Sequence, residues 1–112
     1  MRMIFVFIDG LGLGAQDKFI NPVYAANAPT IQNLLSSSAI PTDASLGVKG
    51  LPQSATGQTA IFTGVNAPQV LGRHLSGQPT LTLKKIIIRN NLFKELIRMG
   101  FTVTSSNVYR EE

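Results

Sequence analysis

The sequence predicts an α/β fold, the N-terminal part of a doubly wound, mainly parallel sheet flanked by helices. Three observations carry that expectation. Residues 3–8, "MIFVFI", form an unbroken apolar run closed by Asp9-Gly10, the pattern of a strand buried on both faces. The stretch "TLKKIIIRNNLFKELIRMG" repeats apolar residues at helical spacing. "FTVTSS" follows it directly and reads as a second strand, and strand–helix–strand order favours parallel pairing.

Along the chain, residues 15–28 contain Asn21, Pro22 and Asn27 with little periodicity, which predicts a loop. "TIQNLLSSS" after Pro29 predicts a short helix with Ile31, Leu34 and Leu35 on one side. "GVKGLP" is a loop, and "ATGQTAIF" is helical despite Gly57 and its β-branched residues. The long helix runs from an N-cap at Thr82, through a stripe of Ile88, Leu92, Leu96 and Met99, to Gly100 at C′. Residues 1–112 read as a single, incomplete domain, the front part of a longer chain.

Composition narrows the class. Hydrophobic residues make up 44% and charged residues 14%, which fits a folded protein rather than a disordered one. A mean hydropathy of +0.16 is high for so short a chain and suggests surface that only a partner covers. With no cysteine, disulfides and Cys-based metal sites are excluded. The apolar run before Asp9 is too short for a signal peptide, and nothing approaches a membrane span. The expectation is a cytoplasmic protein with no membrane partner.

The net charge of +4 does not by itself indicate nucleic acid. Five of the ten basic residues, Lys84, Lys85, Arg89, Lys94 and Arg98, lie on the long helix with no aromatic platform beside them. A solvated helix face explains them better than a nucleic-acid stripe.

Candidate chemistry sits at two places. Asp9 follows the apolar run, and ligands in open α/β sheets bind outside the carboxyl ends of strands. With Gly10 and Gly12 beside it, Asp9 suits a metal, or else it simply caps the turn. "GLGLGA" matches the dinucleotide fingerprint in form only, because "QDKFINP" opens no helix after it. "ATGQT" also fails as a phosphate-binding P-loop, having Gln58 where that motif needs lysine.

Ser54 stands where a helix begins. Its oxygen would lie near unpaired backbone N–H groups and the positive end of the dipole, which suits either an N-cap or an activated nucleophile. The single histidine, His74 in "LGRHLSGQP", has no partner acid at a recognisable spacing, so a Ser-His-Asp triad is unsupported. A metal held partly by Asp9 is the activator the sequence can offer.

The pair "FVFIDGLG" and "LPQSATGQTAIFTGVNAP" resembles the front half of the alkaline phosphatase-like metalloenzyme superfamily, which includes cofactor-independent phosphoglycerate mutase, phosphopentomutase and nucleotide phosphodiesterases. The resemblance implies a doubly wound core, a Ser or Thr nucleophile and two divalent metal ions (Mn, Zn or Mg). It makes Asp9 and Ser54 metal ligands. It also leaves most of the ligands to residues not in this chain.

The mutase pattern of a hydroxyl residue, two variable positions and Gly-His fits Ser54 through Gln58, with Gln58 in place of His. The phosphodiesterase register, anchored on Thr63-Gly64, also lands on Ser54. A rival register anchored on Gly-Leu-Pro points to Thr59. Gln58, Arg73 and His74 are the substrate-binding candidates, with Lys49 a further cation for a phosphorylated substrate.

The functional expectation is therefore the N-terminal portion of a metal-dependent phosphatase, phosphodiesterase or phosphomutase, inactive alone and completed by a C-terminal half or another copy. The alternative is a catalytically silent α/β module that docks a partner or self-associates.

Overall fold

A computed structural model describes residues 2–106. Its contacts divide the chain into two units, Met1–Asp43 and Ala44–Glu112, where the sequence reads as one domain.

The first unit holds α1 (Pro22–Ala25) and α2 (Pro29–Ser37). The Asn21 side chain caps α1 by accepting from the Val23 N–H at 3.2 Å, and Pro22 presets the first helical φ. Gln32 on α2 reaches back and donates to the carbonyls of Val23 and Ala26, at 3.1 and 2.9 Å. One amide side chain thereby satisfies carbonyls at the open end of α1.

The predicted strand at 3–8 does not form, and no strand exists among the described residues. The α/β, doubly wound, parallel-sheet expectation is overturned: every regular element among the described residues is a helix. The physical reason lies in the backbone. An apolar run of this kind is stable as a strand only between neighbours that take its N–H and C=O groups and layers that cover both faces. Here Met3–Ile8 is exposed along its length, with Ile4 at 90%. "FTVTSS" likewise adopts no strand.

The second unit contains α3 (Ser54–Thr63), α4 (Ala67–Leu71), α5 (Leu81–Arg89) and α6 (Leu92–Arg98). α3 is central, packing on both α4 and α5. Leu83, wholly buried, meets Ala55 of α3 and Ala67 of α4 in the core, with Ala60, Leu71, Leu75 and Ile86 around them.

Three threonines let the polar sequence of α3 face inward. Thr56, Thr59 and Thr63 donate their hydroxyls to the carbonyls of Gln53, Ala55 and Thr59, at 3.2, 2.7 and 2.6 Å. A buried hydroxyl is tolerable when a preceding carbonyl takes its proton. Asn66 caps α4 through the Gln69 N–H at 3.1 Å, and its amide nitrogen donates to the Leu46 carbonyl at 2.9 Å. Gly72 ends α4 in the left-handed conformation.

The single long helix expected over 82–100 is two helices. Asn90 is extended, and Asn91 accepts from the N–H groups of Phe93 and Lys94, so it opens α6 rather than continuing α5. Short Asn side chains offer the backbone this alternative to helix. The N-cap of α5 is Thr80, whose oxygen accepts from the Leu83 N–H, and not Thr82. The break rotates the expected stripe out of register: Ile88 and Met99 are 64% and 65% exposed. Gly100 does close α6 as expected. Its N–H bonds the Ile97 carbonyl and that of Phe101 bonds Leu96, the paired closure of a Schellman motif.

Candidate functional site

The candidates of the second unit gather at the start of α3. Ser54 is the first helical residue and Gln53 the N-cap, without a side-chain capping bond. Ser54 is therefore not the cap that its position suggested. Capping comes from elsewhere in the sequence. The Leu75 carbonyl accepts from the N–H groups of Ala55 and Thr56, at 3.0 and 3.3 Å. In return the Leu75 N–H donates to Thr56 Oγ1 at 3.2 Å. A backbone segment thus sits where the helix N-terminus was expected to receive phosphate, and those two donors are taken.

This clamp carries Arg73 and His74 to the first turn of α3. His74 is half-buried, with Nε2 3.0 Å from the Val48 carbonyl. A carbonyl only accepts, so Nε2 carries the hydrogen. Gly50 lies beside the same ring: at its φ of +123°, an added Cβ would come 3.4 Å from His74 Cδ2. Two loops, around 48–50 and 73–75, are therefore tied together next to Ser54. Each contributes an exposed cation, Lys49 and Arg73.

Within α3, Ser54 and Gln58 lie one turn apart on the same face, both half-buried. Thr59 differs: it is 3% exposed and its hydroxyl is held by the Ala55 carbonyl. Thr56, not singled out from the sequence, proves to be the residue that joins α3 to the 73–75 segment. No sequence signal marks its partners, because both are backbone groups.

Asp9 belongs to the first unit and is exposed, in a turn where Gly10 takes a φ of +73°. Among the described residues, no three His, Cys, Asp or Glu side chains come together to hold a metal ion. The residues described do not assemble a dinuclear centre, and no chemical step is assigned through one. No described helix is long and apolar enough to cross a membrane. No family model matches the chain, and no curated protein or solved structure matches it either.

Proposed function

We propose that the chain is the nucleophile-bearing portion of a cytoplasmic phosphoryl-transfer enzyme acting on a small phosphorylated substrate, with Ser54 as nucleophile and without turnover of its own. The observation that carries this reading is the convergence of Ser54 and Gln58 with the loops of Lys49, Arg73 and His74. Ser54 Oγ attacks phosphorus in line as the P–O bond to the leaving group breaks, loses its proton to solvent and becomes a phosphoserine. In the completed enzyme, water would then release phosphate, or the group would pass to a second substrate oxygen.

Because Leu75 occupies the helix-end donors, charge on the phosphoryl oxygens falls to the Arg73 and Lys49 side chains, and the Gln58 amide adds a hydrogen bond. His74 positions the loop, its Nε2–H being committed to Val48. Burial of Thr59 favours Ser54 over the second candidate. Divalent metal ions remain part of the proposal, held by ligands from outside the described residues.

Trapping the first half-reaction tests this. After incubation with acetyl phosphate and Mn²⁺, intact-mass and peptide analysis should find one phosphoryl group on Ser54. It should vanish in Ser54→Ala and persist in Thr59→Ala. An unmodified wild-type chain, or an adduct that survives Ser54→Ala, rejects the reading.

A second reading, a catalytically silent module that docks a partner or another copy, is favoured by one observation. Met3–Ile8 exposes apolar side chains over its whole length. Sedimentation of the wild type should then show assemblies that Ile4→Asp/Val6→Asp abolishes. A monomeric wild type removes self-association.

A further inference from the structure

We propose that a cleft at the far end of α3 from Ser54 binds a small amphipathic anion, an acidic head group on a short hydrocarbon body. The cleft, about 390 Å³, lies between the turn after α3, α4 and one face of α5 from Thr82 to Asn90. Its volume falls in the range of small-molecule sites. Val65, Val70 and Ile86 supply an apolar wall, while Thr82 and Asn90 add a hydroxyl and an amide. Lys85 and Arg89 also line it, one helical turn apart.

These two cations are the reason for an anion. On α6 the two basic side chains are engaged, and Lys84 of α5 lies outside the cleft lining. Lys94 donates to the Ile88 carbonyl at 2.8 Å and so satisfies the end of α5, and Arg98 pairs with Glu95 at 2.9 Å. Lys85 and Arg89 make no hydrogen bond or ion pair among the described residues. Like charges at this spacing repel, and an anion between them relieves the repulsion. An inorganic ion would leave the apolar wall wet, whereas a hydrocarbon body covers it.

The site is separate from the one proposed for catalysis. α3 has ten residues, so at 1.5 Å per residue its ends are about 15 Å apart, with Ser54 at one and the cleft at the other.

Amide-shift mapping by NMR on the whole chain tests the inference, with hexanoate, hexyl phosphate, hexanol and inorganic phosphate as probes. Saturable shifts confined to Val65, Val70 and Thr82–Asn90, given by either hexyl anion and not by hexanol or inorganic phosphate, are the expected result. The tighter of the two hexyl anions identifies the head group. Lys85→Glu/Arg89→Glu should weaken binding roughly tenfold or more, while Lys84→Glu, on the same helix outside the cleft lining, should match the wild type. Circular dichroism checks that both variants keep their helix content. Equal shifts with hexanol, shifts that survive the double charge reversal, or shifts spread over the surface overturn it.

Discussion

Leu83→Ala should unfold the second unit at room temperature. Leu83 is the one large apolar side chain with no exposure among the described residues of this unit, and it joins α5 to α3 and α4. Truncating a buried leucine costs about 2–5 kcal/mol, the transfer of its methyl groups plus the cavity left behind. A core this small rarely supplies more than about 3–5 kcal/mol in total. Loss and supply are of the same size, so the helical signal should fall and its cooperative thermal transition disappear. Ile88→Ala provides the contrast. The sequence places Ile88 on the buried stripe, while the structure leaves it 64% exposed, so its removal should change stability by no more than about 0.5 kcal/mol. Loss of the cooperative transition in Ile88→Ala, as expected for Leu83→Ala, would mean that the long, continuous helix is the correct one.

Thr56→Val should cost about 1–3 kcal/mol despite almost unchanged shape. The Thr56 hydroxyl is fully buried, accepts from the Leu75 N–H and donates to the Gln53 carbonyl. Valine leaves both backbone groups without that partner, and the 73–75 segment loses one of its ties to α3. Thr59→Val should cost less, because its hydroxyl only donates, to the Ala55 carbonyl, and no N–H depends on it. Urea denaturation measures both variants, and hydrogen exchange at the Leu75 amide locates the damage. If exchange at Leu75 is unchanged in Thr56→Val, the clamp is not what holds that segment. Because the clamp brings Arg73 and His74 to Ser54, phosphoryl trapping on Ser54 should also decline in Thr56→Val.

The helices at Pro29–Ser37 and Ser54–Thr63 were legible because their signals are local: a proline at the first turn, or small residues running into apolar ones. α1 and α4 escaped notice for lack of length. Four and five residues show no periodicity, although Asn21-Pro22 and Asn66 with Gly72 carried cap signals that could have found them. The break at Asn90–Asn91 was hidden by apolar residues on either side that keep helical spacing through it. Ser54 was correctly read as lying at a helix start. Its expected access to free backbone donors was not, since Leu75 supplies the cap through its carbonyl, a group every residue has.

By itself, then, the sequence determined that the chain turns helical near Pro29–Ser37 and Ser54–Thr63, that Gly100 closes the last helix, and that Met3–Ile8 is apolar on both faces. Those properties depend on neighbours within a turn or two, where propensity and capping act. Only the tertiary structure decided that the apolar run forms no strand, that α3 is capped by Leu75, and that Thr59 is enclosed while Ser54 is not. Each of these is a question of which distant group meets an N–H, a C=O or an apolar face. Burial and hydrogen bonding are satisfied in space, and no local pattern specifies the partner.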